Sequence, residues 1–135
     1  MPEVADNLSR WASAARPRTL PLAATPVAAG IALAAVETGG IDLATAAATL
    51  VAAVAIQVGT NLHNDAADFE RGADTQERVG PLRATSEGWF TPRQVKLAAH
   101  LAFLGAFLLG AYLCLRGGWP ILLLITAIVA VVILL

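Results

Sequence analysis

Four apolar stretches, at about residues 20–36, 41–60, 97–115 and 119–135, constrain this chain more than any other feature of its sequence. A helix crossing the hydrocarbon core of a bilayer needs about 20 mainly apolar residues, and only helices and closed barrels satisfy every backbone polar group there. The pattern predicts an all-α fold, a polytopic transmembrane helix bundle with about four helices in this chain. Ala, Gly and Leu recur in all four stretches, and small side chains let membrane helices approach closely. Composition agrees: 57% of residues are hydrophobic and 14% charged, against about 25% charged in soluble domains. Nine Lys plus Arg against ten Asp plus Glu leave a net charge of −1, so no basic surface invites nucleic acid. The single cysteine, Cys114, lies within an apolar run. That excludes a disulfide framework or a Cys/His zinc site within the chain, and Cys114 reads as a small buried apolar residue.

Glu37-Thr38-Gly39-Gly40 and Arg116-Gly117-Gly118 are short connections, with glycines suited to ending one helix and turning into the next. Pro21 and Pro26 fall in the first span and predict a bend there. Residues 69–92 form the only long polar segment between spans. With four spans, Arg10, Arg16, Arg18, Arg71, Arg78, Arg83, Arg93 and Lys96 share one side of the membrane, and Arg116 alone lies on the other. Basic residues near helix ends stay cytoplasmic, so the N-terminus and the 69–92 loop are expected in the cytoplasm of a multi-pass protein of the cell membrane. A secretory signal peptide over residues 10–36 competes, since arginines precede an apolar run. The run is long and carries two prolines, however, and its removal would unbalance the charge pattern.

The second span becomes polar on one side as it ends. Gln57, Asn61, Asn64, Asp65 and Asp68 follow i, i+4, i+7, i+8, i+11 spacing. At about 100° per residue, with Asn61 as zero, they lie at about −40°, 0°, −60°, +40° and −20°. His63 points away. Polar groups beside a membrane span are costly and normally face a protein interior or a watery cavity. Two carboxylates one turn apart repel each other unless a cation neutralises both. Hard divalent ions choose oxygen ligands, and Mg²⁺ commonly shares its shell between one or two carboxylates, water and substrate phosphates. The loop adds Asp74, Arg78 and Arg83, with Gly72, Gly80 and Pro81 permitting sharp turns. Arginine forks match phosphate oxygens two at a time. Carboxylates on one wall and arginines on the other can hold a magnesium diphosphate. The plainer alternative is a solvated interfacial loop whose acids and bases pair with one another.

Other residues carry less. His100, within the third span, reads as an interhelical hydrogen-bonded residue. Trp11, Trp89 and Trp119 sit near expected interfaces and read as belt anchors. Arg16-Pro17-Arg18-Thr19 either supplies positive-inside charge or reaches the same mouth as the acidic stripe.

The run Asn61-Leu62-His63-Asn64-Asp65-Ala66-Ala67-Asp68, continued by Gly72-Ala73-Asp74-Thr75 and Arg78-Val79-Gly80-Pro81-Leu82-Arg83, resembles the first aspartate-rich motif of the UbiA superfamily of intramembrane prenyltransferases. The Asp74-Thr75 pair, the Gly80-Pro81-x-Arg83 tail and the opening Arg16-Pro17-Arg18-Thr19-Leu20-Pro21 are similar to its 1,4-dihydroxy-2-naphthoate prenyltransferase (MenA) branch. The resemblance implies a bundle of about nine helices whose cytoplasmic cavity holds two aspartate-rich motifs and Mg²⁺. A polyprenyl diphosphate loses diphosphate there, and the allylic cation is attacked by 1,4-dihydroxy-2-naphthoate, which also loses its carboxylate. Carried over position by position, Asn64, Asp65, Asp68 and Asp74 bind the Mg²⁺ diphosphate, Arg78 and Arg83 touch the diphosphate, Asn61 lines the cavity, and Arg16 and Arg18 belong to the substrate-binding set. Residues 1–135 correspond to the N-terminal part of such a domain. The second motif has no counterpart here, so the chain is expected to be an N-terminal fragment, inactive alone. Its end, Val131-Val132-Ile133-Leu134-Leu135, lacks the polar or aromatic flank that usually closes a span.

Two other classes compete. A transporter or ion-conducting protein would use the stripe to line a pathway, but polar residues should then recur at mid-depth on several spans, and here the acids gather at one end. A small structural subunit would use the stripe as an interhelical contact.

Overall fold

A computed structural model describes residues 2–72, 83–121, 123 and 127. The expected site residues Asp74 and Arg78 lie outside the described residues, as does most of the fourth span. The fold is all-α, with no strand among the described residues. Helix α1 (Pro2–Ala14) leads through a 3-10 turn (Pro17–Thr19) into α2 (Leu20–Thr38). Two long helices follow, α3 (Leu43–Glu70) and α4 (Pro92–Gly117). Three helical stretches are long and apolar enough to cross a membrane: Asp6–Thr38, Leu43–Glu70 and Pro92–Gly117.

Helix α1 is an addition to the pattern expected from hydropathy. It is too short and too polar to span, and its last turn joins the core through Trp11 and Ala14. Asp6 and Arg10, one turn apart, form an ion pair at 2.7 Å. The chain then leaves helical backbone at Arg16, whose φ of 54° is left-handed, and the Thr19 hydroxyl donates to the Arg16 carbonyl at 2.9 Å. Helix α2 buries none of its residues and ends at Gly39, where a φ of 74° suits a residue without Cβ. Pro26 lies inside it.

Helix α3 is capped by Asp42, whose carboxylate accepts from Ala44 N–H at 3.1 Å, Thr45 N–H at 3.3 Å and the Thr45 hydroxyl at 3.0 Å. The Thr45 hydrogen bonds, with Arg116 adding its charge, hold the Asp42 carboxyl below its ordinary value of 3.8. With 28 residues, α3 is about 42 Å long at 1.5 Å per residue. The hydrocarbon core is about 30 Å thick, so α3 exceeds it by about two turns. Its last two turns carry Asn64, Asp65 and Asp68 of the polar stripe.

Helix α4 begins at Pro92, where the hydropathy pattern begins near Leu97. Its start is set by a capping box: Gln94 N–H donates to the Thr91 hydroxyl at 3.3 Å, and Thr91 N–H donates to Gln94 Oε1 at 2.9 Å. The polar Arg93, Gln94 and Lys96 hide this first turn from a hydropathy window. Helices α3 and α4 run antiparallel and are pinned along their length. Lys96 pairs with Glu70 at 2.6 Å at one end, Arg116 pairs with Asp42 at the other, and the Phe103 ring lies against Gly59 between them. At Gly59 an added Cβ would stand 2.7 Å from Cε1 of Phe103, so only glycine permits this approach.

The buried core, Ala14, Leu62, Ala66, Ala84, Val95 and Ala99, sits where α1, the end of α3, the 83–90 segment and the start of α4 meet. Elsewhere large apolar side chains face outward, including Leu22 and Leu33 on α2 and Leu97, Leu101, Leu104 and Leu108 on α4. Apolar exposure of this kind suits lipid or packing against further helices. Trp11 and Trp89 pack on the core instead of standing clear as belt anchors. The Trp11 ring stacks on Phe90 with centroids 4.0 Å apart and planes 19° apart. Trp119 is exposed, Cys114 is half-buried, and His100 is exposed on α4.

Candidate functional site

The last three turns of α3 carry Asn61, Asn64, Asp65 and Asp68, and exposure varies across the stripe as the helical angles require. Asp65, at the edge turned towards α4, is 0% exposed, Asn61 is 5% exposed, Asp68 is partly exposed and Asn64 is exposed. Two neighbouring segments close over the buried edge.

The first is the elbow between α1 and α2. The Asn61 amide donates to the Ala15 carbonyl at 2.9 Å and to the Thr19 hydroxyl oxygen at 2.8 Å. Its own oxygen accepts from Gln57 Nε2 at 3.3 Å. Asn61 is thus a tie between α3 and the elbow, a role that the spacing of polar residues did not disclose. Arg16 stands in this elbow with its Nε and Nη2 buried, while Arg18 is exposed in the 3-10 turn.

The second segment is the turn that precedes α4. Residues 83–88 make one helical turn: Glu87 N–H donates to the Arg83 carbonyl at 2.9 Å, and Gly88, with φ of 68°, ends it as Trp89 N–H returns to the Ala84 carbonyl at 2.9 Å. The first N–H groups of a helical turn need acceptors, and here Asp65 supplies them. Ala84 N–H donates to Oδ2 of Asp65 at 2.8 Å and Thr85 N–H to Oδ1 at 3.2 Å. The Thr85 hydroxyl makes a short hydrogen bond to the same Oδ1. Both oxygens of Asp65 are therefore occupied by protein donors.

Arg83, immediately before this turn, reaches back to α3. Its guanidinium meets Oδ2 of Asp68 at 2.5 Å and donates to the Asn64 carbonyl at 3.3 Å. The Arg83 side chain is 8% exposed and that of Asp68 31%, so the carboxylate is the more exposed member of the pair. Among the described residues, no three His, Cys, Asp or Glu side chains gather closely enough to hold a metal ion. Asn64 and Asp68, four residues apart on the open edge, are two hard oxygen donors of the kind Mg²⁺ takes alongside water and phosphate. Asp65 does not share that openness. Thr85 and Thr19 complete the site; sequence reasoning missed Thr85, because nothing local marks it as a partner of a residue on α3, and named Thr19 only within the Arg16-Pro17-Arg18-Thr19 run, without its bond to Asn61.

The UbiA prenyltransferase family matches residues 23–135. The chain is 40% identical over 109 residues to a protein named 1,4-dihydroxy-2-naphthoate octaprenyltransferase in Mycobacterium tuberculosis, covering 81% of this chain and 37% of that one. A protein of the same name in Haemophilus influenzae is 34% identical over 109 residues, covering 80% and 35%. One in Mycobacterium leprae is 38% identical over 128 residues, covering 84% and 42%. The chain thus spans between about a third and two-fifths of the length of these relatives. No solved structure matches it. The polar stripe, the closing turn with its arginine and the apolar helices that carry them all fall within the matched region, and the chain belongs to the UbiA prenyltransferase family.

Proposed function

We propose that this chain supplies the part of a membrane prenyltransferase that grips the diphosphate, and that the whole enzyme transfers a polyprenyl group from polyprenyl diphosphate to 1,4-dihydroxy-2-naphthoate in menaquinone biosynthesis. The observation that carries the reading is the Asp68–Arg83 pair beside Asn64, at the end of a helix too long for the hydrocarbon it crosses. Family membership and the relatives' names support the chemistry. Asn64 and Asp68 would hold Mg²⁺, with Asp74 as a further ligand of the same motif. Mg²⁺ bound there would offset the charge that grows on the diphosphate as the allylic C–O bond breaks.

The chain's own residues divide the remaining work. Before substrate arrives, Arg83 compensates Asp68, since an uncompensated carboxylate beside hydrocarbon is costly. With a divalent ion held by Asn64 and Asp68 to supply that compensation, the Arg83 fork would turn to phosphate oxygens, the geometry it suits best. Arg78, Arg16 and Arg18 are proposed to add positive charge around the same mouth. Asn61 fixes the elbow that carries Arg16 and Arg18. The orientation proposed is that of a cell-membrane protein with α1 and the 83–91 turn in the cytoplasm. Transport through the stripe is not favoured, because its acids gather at one end of α3 while α2 and α4 present mainly apolar surface at mid-depth.

The test joins these residues to the remaining length of the Mycobacterium tuberculosis relative and assays the fusion in membranes with Mg²⁺, polyprenyl diphosphate and 1,4-dihydroxy-2-naphthoate. The expected result is prenylated product that disappears in Asp68→Asn. Equal product from Asp68→Asn, with the fusion otherwise active, would refute the assignment.

A further inference from the structure

The two aspartates of the stripe lie within one turn of each other, yet their surroundings are opposite. Asp68 is partly open and touches a side chain. Asp65 is fully buried and touches backbone: it accepts the N–H of Ala84 and of Thr85, and the Thr85 hydroxyl as well. A cation that used Asp65 as a ligand would have to displace these donors and open the core around Ala66, Ala84 and Val95, all fully buried. A carboxylate in this position behaves as a helix cap supplied from another helix.

We propose that Asp65 is a positioning residue and not a metal ligand, and that it acts with Thr85, whose hydroxyl fills the same oxygen. Resting on the diphosphate-gripping function proposed above, this divides the motif by task. Asp65 folds the 83–88 turn and so aims Arg83, the residue next to Ala84, at Asp68 and the Asn64 carbonyl. The spacing of the acids matches this division. Asp65 takes the backbone of 84–85 while Asp68, one turn further along α3, takes the side chain of 83. Asp65 and Thr85 therefore set where the phosphate-binding guanidinium stands without touching substrate themselves.

Two measurements separate this from a ligand role. In the 135-residue chain in lipid nanodiscs, amide hydrogen exchange reads the Ala84 and Thr85 N–H groups directly. Asp65→Asn and Thr85→Val should each speed exchange there about tenfold or more, the loss expected when a charge-assisted hydrogen bond is removed. Thr85→Ser should restore protection, and Asp68→Asn should leave it as in the wild type. In the fusion with the Mycobacterium tuberculosis relative, Asp65→Asn and Thr85→Val should both raise KM for polyprenyl diphosphate by about tenfold, with the Mg²⁺ concentration for half-activation unchanged. Wild-type protection at Ala84 and Thr85 in Asp65→Asn would overturn the proposal. So would a Mg²⁺ requirement that rises in Asp65→Asn but not in Thr85→Val. A parent fusion that makes no prenylated product would instead count against the proposed function, and the exchange measurement would still decide the role of Asp65.

Discussion

Replacing Asn61 by Ala tests whether this residue ties α3 to the elbow of α1 and α2. The side chain is 5% exposed and donates to the Ala15 carbonyl at 2.9 Å and the Thr19 hydroxyl at 2.8 Å. Hydrogen bonds between membrane helices average about 0.6 kcal/mol, and those in aqueous domains about 1 kcal/mol. The two bonds lost to the elbow therefore account for about 1–2 kcal/mol, and the longer third bond, accepted from Gln57 Nε2 at 3.3 Å, adds about a few tenths. Thr19 keeps its bond to the Arg16 carbonyl, whereas the Ala15 carbonyl loses this donor, at a further cost of about 1 kcal/mol or more. The total expected for Asn61→Ala is about 2–3 kcal/mol. Thr19→Ala should cost about 1 kcal/mol, and the two should couple by about 0.5–1 kcal/mol in a double-mutant cycle. Reversible unfolding in mixed micelles, followed by circular dichroism, gives all four values. A cost for Asn61→Ala below about 0.5 kcal/mol, with no coupling to Thr19→Ala, would refute the reasoning, since it lies within the range of substitutions that touch nothing of consequence.

Gly59→Ala should destabilise the α3–α4 pair by about 1–3 kcal/mol, because the new methyl meets the Phe103 ring at 2.7 Å, and Phe103→Leu should recover part of the loss. The same unfolding assay checks both. Asp42 predicts a pH dependence of defined sign. Its folded-state carboxyl is held below 3.8, first by the Thr45 hydroxyl, so its contribution to stability is fully present above that value and is lost as pH falls through the lowered one. Unfolding measured between neutral pH and pH 3 should lose that part of its acid limb in Asp42→Asn.

Periodicity made the polar stripe legible, because a helix turns by a fixed angle whatever surrounds it, and the structure keeps Asn61, Asn64, Asp65 and Asp68 at the end of one helix. The spans on α2, α3 and α4 were legible for the same reason that hydropathy works at all: backbone in lipid has few other options. What the stripe meets was not legible. Asp65 and the Thr85 hydroxyl lie on different elements, and their meeting depends on how the 83–90 segment folds back over α3, which no local pattern encodes. Trp11 reads as an interfacial anchor by type, yet Phe90, from the segment before α4, stacks on it. The early start of α4 did carry a signal in Thr91, Pro92 and Gln94, but polar residues in the first turn masked it from a hydropathy reading. Helix α1 carried only its short amphipathic pattern.

The central claim is that the open edge of α3, at Asn64 and Asp68, takes a diphosphate through a divalent ion. Equilibrium binding of a non-hydrolysable polyprenyl thiodiphosphate to the fusion with the Mycobacterium tuberculosis relative tests it most directly. The account predicts binding that requires Mg²⁺ and weakens at least about tenfold in Asp68→Asn. Binding of equal strength without Mg²⁺, or unchanged by Asp68→Asn, would contradict it.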